Sequence, residues 1–348
     1  MTQKTLARMA LGLVFAVTIF CGYVLTLYVL AIPQAEIRYA ENTQAPDAGA
    51  LVHGVRSSVD QSLSRLSLLP WRNTKKVLTG VMIENHEDAR PHQRGLADAL
   101  LIEEFFVEGY ISRFIALYDS SELPDQVGPV RSLRSYFLDG TLPWTSIFFH
   151  IGGSPEALDR TETSETITAF NGVYRDTYFM RKDGIPAPHD AFLTQESFQK
   201  LLSEVTEATE VHWPPYKTGR AQAGSGASTI SINFFSPKYN VEYLYDPWKQ
   251  KYIRTNGGIL SEATPRNVLI LETSVEEVGP YGRLAVGVQG EGSALLFRSG
   301  RVYPAAWSKT GVNDPYVFTD ENEKPLVFAS GQTWMTTVDS MDRIDWEQ

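Results

Sequence analysis

The sequence predicts an α/β or α+β first domain with a mixed sheet, then a mainly β second domain, behind a single N-terminal transmembrane helix. Three observations carry this. Residues 9–32 read MALGLVFAVTIFCGYVLTLYVLAI, with no charge in the run, and about 20 apolar residues suffice to cross a bilayer. Residues 71–216 interleave β-branched and aromatic runs with segments of helical spacing, which is layered α/β or α+β patterning. Beyond a glycine-rich linker the pattern becomes short strands punctuated by turns.

Each element follows in order. Residues 1–8 carry Lys4 and Arg8 and no acid. Between Pro33 and Asp60 four acids face two bases, so the tail is expected in the cytoplasm and the remainder outside the cell membrane. The run 9–32 is too long for the apolar core of a cleaved signal peptide, and it is apolar on every face, unlike a core helix. Residues 33–70 form a juxtamembrane stalk whose middle, ENTQAPDAG, has no apolar period.

In residues 71–216, VLTGVMI reads as a strand, and LLIEEFFV and YISRFIALYDS as two extended runs broken at Gly109. GPVRSLRSYFLDG has helical spacing through Val130, Leu133, Phe137 and Leu138. SIFFHI is a buried-type strand. Ser154 caps a helix that has Pro155 at its first position, and Thr194 caps TQESFQKLLSEV. Residues 217–228 are the linker and 229–340 the β domain. There YLYDPWKQKYIRT reads as a hairpin, and ALLFRSGRVYPAAW turns at Ser299–Gly300.

Composition narrows the function. The net charge of −10 argues against nucleic acid as a partner, since such domains are normally basic. Cys21 is the one cysteine, so neither a disulfide framework nor a multi-cysteine metal site is expected. No phosphate-binding loop, serine-hydrolase elbow, zinc-protease or dinucleotide motif is present, and no cofactor is indicated.

Several residues carry chemistry by type. On the expected helix, Arg131 and Arg134 lie three apart near an amino-terminal end, with Arg113 on the preceding strand. Forked guanidinium donors suit a carboxylate or phosphate. The alternative is that these arginines pair with Glu104 and Glu108. His150 leads into the Gly152–Gly153–Ser154–Pro155 turn, which presents either backbone N–H groups to an anion or a buried histidine beside a helix cap. His189 and Asp190 follow a proline-constrained loop and are acid/base or ion-pair candidates with Glu104 and Glu108. His86, Asp88 and His92 have metal-compatible side chains, but their spacing fits no established ligand pattern, so no metal site is expected.

Taken together, IENHEDARPHQRGL, FFVEGYISRFIALYDS, VGPVRSLRSYF, FFHIGGSPEA and APHDAF, with YLYDPWKQKYIRTNGG, GRLAVGVQGEGSALLFRSGRVYPAAW and GQTW, resemble the YerB-like family of bacterial envelope lipoproteins over roughly residues 72–340. That family is built from a domain of unknown function with amino- and carboxy-terminal parts. Members usually begin with a lipobox cysteine, whereas Phe20 precedes Cys21 here. Leu100 and Glu103 stand where the family tends to have Asp and Tyr, and Asp190 where it tends to have Asn. The resemblance implies an extracytoplasmic, membrane-tethered protein and supplies no reaction. The expected function is a non-catalytic envelope module, held to the membrane by its N-terminal helix, that binds an anionic or phosphate-bearing cell-wall ligand or a protein partner. The alternative is an envelope hydrolase or phosphotransferase with an arginine-lined pocket and Glu/His acid–base groups.

Overall fold

The computed structural model describes residues 74–220 and 223–348. The transmembrane helix expected over 9–32 and the whole stalk expected over 33–70 lie outside the described residues. Among the described residues no helix is long and apolar enough to cross a membrane.

Strand β1 (Thr74–Ile83) buries its second half, LTGVMI, completely, and runs antiparallel to β3 (Ile111–Asp119). Between them in sequence, β2 (Leu101–Val107) pairs with β3 as a hairpin that reverses at Gly109, where φ is +73°. A residue with a side chain adopts that conformation only at a cost. On its other edge β1 lies parallel to Ile147–His150, and that strand lies parallel to Thr168–Asn171.

The decisive pairing is on the far side of β2, which runs parallel to Thr333–Val338 from the C-terminal end. That strand in turn pairs with Asn267–Glu272, and the sheet continues through Gly290–Arg298 and Arg301–Lys309. Strands from both halves of the sequence thus form one 12-stranded mixed sheet. A smaller antiparallel five-stranded sheet, ordered 259–260, 251–256, 241–246, 229–232 and 344–347, packs on it.

The expected fold class is corrected by this arrangement. The N-terminal half is not an α/β or α+β layer beside a separate β domain: the described chain is mostly strand. It has three α-helices, α1 (Ser135–Thr141), α2 (Pro155–Thr163) and α3 (Gln195–Leu202). The helix expected across GPVRSLRSYFLDG begins only at Ser135, after an extended Arg134. Upstream, Arg131 N–H donates to Met82 O at 3.0 Å, its carbonyl accepts from Ile151 N at 3.1 Å, and Leu133 N–H donates to Gly152 O at 3.1 Å. Those partners satisfy the backbone in extended form, so residues 129–134 give up the helix their apolar spacing suggests.

Local signals behave as expected elsewhere. Ser154 Oγ accepts from Ala157 N–H and Thr194 Oγ1 from Ser197 N–H, capping α2 and α3. Val241–Asp246 pairs with Lys251–Asn256, and the next hairpin turns at Ser299 and Gly300, both at positive φ.

The two sheets meet on one buried ion pair. Glu104 of β2 accepts from Arg254 Nη2 at 3.1 and 3.2 Å, Ser112 Oγ at 2.6 Å, Trp334 Nε1 at 2.7 Å and Thr336 Oγ1 at 3.2 Å. The Arg254 guanidinium also lies 4.0 Å from the Trp334 ring centroid. Removing one partner of a buried, fully bonded pair strands the other charge and costs about 3–5 kcal/mol. Glu104→Ala is therefore expected to lower unfolding stability by about that amount in chemical denaturation. The Glu104→Ala/Arg254→Met double variant should lose less than the sum of the two single losses.

Candidate functional site

Three of the sequence motifs converge on Glu84, the residue just beyond β1. Its backbone N–H donates to Pro129 O at 2.9 Å, and its carbonyl accepts from Gln93 Nε2 at 2.7 Å. The Glu84 carboxylate is buried. Arg131 Nε lies 3.0 Å from one oxygen and His189 Nδ1 2.9 Å from the other. Gly128 lets these segments approach: its φ is +148°, and a Cβ there would meet Ala191 O and Phe192 Cδ1 at 2.8 Å. Val130 N–H then donates to Ala191 O at 2.7 Å, which sets Arg131 beside His189.

Residues 84–93 fold back as a tight loop, with Ala89 and Arg90 N–H both donating to His86 O. Arg90 holds this loop from inside: Nε donates to Asn85, and Nη1 reaches Lys238 O at 2.5 Å and Asn256 O at 3.3 Å. The loop stacks His86 on His189, ring centroids 5.2 Å apart and planes 15° apart. Asp88 Oδ2 lies 3.4 Å from His86 Nδ1. Donor atoms of His86, Asp88 and His189 all fall within 4.8 Å of one another, so among the described residues these three are placed to hold a metal ion. His92, which has a metal-compatible side chain in the same loop, is not part of the cluster; His189 is its third member.

The three candidate arginines lie close enough to affect one another, but they are not a free anion pocket. Arg134 forks onto Glu108 at 2.6 and 2.7 Å. Burial opposes the Glu108 charge, yet the Arg134 hydrogen bonds and charge hold its carboxyl below the ordinary value. Arg113 Nη1 donates to Ser132 O at 2.8 Å. Burial, with the Arg134 and Arg131 charges nearby, pushes its guanidinium down to about 10. Arg131 has no partner other than the Glu84 carboxylate among the described residues.

The His150 turn satisfies its backbone donors at Gly152 and Ser154 internally, while His150 Nε2 is buried without a hydrogen-bond partner among the described residues. His150 is fully buried, with Nδ1 2.8 Å from Gly152 O. Gly152 N–H donates to Asn171 Oδ1 at 3.0 Å, and Ser154 N–H to Leu133 O at 3.0 Å. Those two donors are not offered to an anion. Asp190 pairs with Arg181 at 2.8 Å rather than with its neighbour His189. Glu104, spent on Arg254, and Glu108, spent on Arg134, do not meet.

Two features escaped the sequence. The Glu84–His189 contact joins residues 105 positions apart, although both sit in motifs of unusual His, Asp and Pro density. Glu103, next to Glu104 but on the opposite sheet face, is fully buried, and neither carboxylate oxygen has a hydrogen-bond partner among the described residues. Burial pushes its carboxyl well above the ordinary range, with Lys309 opposing.

The N-terminal domain of the family described as "Protein of unknown function (DUF3048)" matches residues 69–209, and its C-terminal domain matches 230–335. The chain belongs to the YerB-like DUF3048 family. It is 30% identical over 281 residues to the Bacillus subtilis (strain 168) protein named "Putative lipoprotein YerB", covering 77% of this chain and 83% of that one. It is also similar to the crystal structure of YerB from Bacillus subtilis, with a TM-score of 0.70 at 26% identity over 80% of this chain and 97% of the other. In this DUF3048 chain the strand pairing between β2 and Thr333–Val338 ties the two family-defined parts into one sheet.

Two pH dependences follow. Burial lowers His150 to about 4 from 6.5, so the unfolded chain binds the extra proton as pH falls. The stability His150 contributes is full above about pH 6.5 and is lost toward pH 4, a span worth about 3 kcal/mol. Folded His150→Gln should flatten the denaturation free energy across that window. Glu103 runs the other way: its raised carboxyl holds a proton that the unfolded chain releases above about pH 4.5. Stability is lost as pH climbs from there, so Glu103→Gln is expected to gain stability relative to wild type at pH 8 more than at pH 4.

Proposed function

We propose that this chain is a membrane-associated protein of the cell envelope that works as a binding module, and that its working face is the group of polar side chains around Glu84. Membership of a family whose Bacillus subtilis relative carries a lipoprotein name supports the envelope assignment. The binding reading rests on one observation. The buried Glu84 carboxylate brings Arg131, as an ion pair at 3.0 Å, and His189, at 2.9 Å, side by side. The terminal nitrogens of Arg131 and Nε2 of His189 keep no hydrogen-bond partner among the described residues. A guanidinium and an imidazole held on a shared carboxylate are preorganised donors for a carboxylate or phosphate oxygen, so little side-chain ordering is left to cost affinity.

The ligand class is a phosphate- or carboxylate-bearing component of the wall. Glu104 and Glu108, the acid–base groups of the enzymatic alternative, are each held in an arginine pair, and that favours binding over hydrolysis.

The test titrates the full chain in detergent with phosphate-bearing wall fragments and with polyprenyl phosphate. A charge-assisted hydrogen bond is worth about 1.5–3 kcal/mol, so Arg131→Ala is expected to weaken binding about tenfold or more. Arg134→Ala breaks the Glu108 pair and the hydrogen bond to Leu133 O, neither of which involves Glu84, so it should lower the melting temperature and leave affinity unchanged. A folded Arg131→Ala variant with wild-type affinity for every ligand rejects this reading.

A further inference from the structure

We infer that His86, Asp88 and His189 bind a divalent metal ion of the zinc type, with Glu84 as the carboxylate that orients His189. This rests on the reading that the face around Glu84 is the working surface, and it names what sits there. Two imidazoles and one carboxylate are a donor set that suits zinc, and three protein ligands leave a fourth position open.

The geometry is partly built. Zinc bonds of about 2.0–2.2 Å at tetrahedral angles put neighbouring ligand atoms about 3.4 Å apart. His86 Nδ1 and Asp88 Oδ2 already stand 3.4 Å apart. One donor atom from each of His86, Asp88 and His189 lies within 4.8 Å of the other two. The remaining adjustment falls on His86 and Asp88, whose side chains are 35% and 69% exposed. Asp88 N–H donates to His86 Nδ1 at 3.3 Å, a long bond that coordination would replace.

The second observation is the support behind His189. A metal-bound histidine typically gives its other ring nitrogen to a carboxylate, which fixes both tautomer and ring orientation. Glu84 Oε2 meets His189 Nδ1 at 2.9 Å, leaving Nε2 as the coordinating atom. Glu84 is itself held by Arg131, so the supporting group is buried and anchored. An anionic oxygen taking the open metal position would then lie in reach of Arg131. This assigns the metal to recognition of the same ligand class.

The full chain in detergent, stripped with EDTA, is titrated with Zn²⁺ against a chromophoric chelator. One zinc per chain is expected. His86→Gln and His189→Gln should each weaken it at least tenfold, Glu84→Gln by about 10–100-fold, and His92→Gln not at all. Co²⁺ at the site should give the visible absorption of a four-coordinate ion. A folded wild-type chain that binds no zinc overturns the site, as do folded His86→Gln and His189→Gln variants that bind it equally well. If Glu84→Gln does not fold, the loop variant His86→Gln carries the test. Wall-fragment binding measured with and without EDTA separates the two proposals. Binding that persists in the metal-free chain and depends on Arg131 removes the metal and keeps the anion reading. Zinc binding with no fragment binding does the reverse.

Discussion

A carboxylate withdrawn from water must have its lone pairs filled, and Glu104 organises this protein by that requirement. Its donors come from three places: Ser112 on β3, Trp334 and Thr336 on the C-terminal strand, and Arg254 on the smaller sheet. Satisfying them fixes the register of β2 between its two neighbours. It also pins the second sheet to the first through a guanidinium flanked by Trp334, Phe114 and Tyr243. A slip of one residue would turn Glu104 to the other face and expose the pair's cost in full.

The same network runs outward to the candidate site. Ser112 Oγ, which donates to Glu104, accepts from Asn85 Nδ2 at 2.7 Å. Asn85 Oδ1 accepts from Arg90 Nε at 3.2 Å and Gln93 Nε2 at 3.4 Å, and Gln93 returns to the Glu84 carbonyl. The loop that carries His86 and Asp88 therefore grows from the buried pair. A rigid backbone under a half-exposed polar cluster is what a binding site needs, because alignment is fixed before a ligand arrives.

An acidic chain also disposes of its arginines. Arg134, Arg160, Arg175, Arg181 and Arg343 each find a carboxylate within 4.0 Å. Of the three candidate arginines near residues 113–134, Arg134 is paired with Glu108, Arg131 shares the Glu84 carboxylate with a histidine, and buried Arg113 donates to the Ser132 carbonyl. Arginine density in a motif is consequently a poor guide to an anion pocket when acids outnumber bases, 41 to 31.

The sequence by itself determined what depends on neighbours along the chain. The Ser154 and Thr194 caps, the two C-terminal hairpins, the Ser299–Gly300 turn and the apolar strands all follow from local donors, φ preferences and alternation. The family was legible too, because its motifs are short and contiguous. Tertiary structure decided the rest. Residues 129–134 are extended because Met82, Ile151 and Gly152 offer backbone partners, and the two halves share a sheet because β2 finds Thr333–Val338. Glu104 was legible as an acid but not as Arg254's partner 150 positions away, nor was His189 as the residue that meets Glu84 across 105. Spacing rules encode contacts within a turn or a hairpin. Partners separated by most of the chain are chosen by whichever packing leaves the fewest buried polar groups unsatisfied, and that is a property of the whole fold.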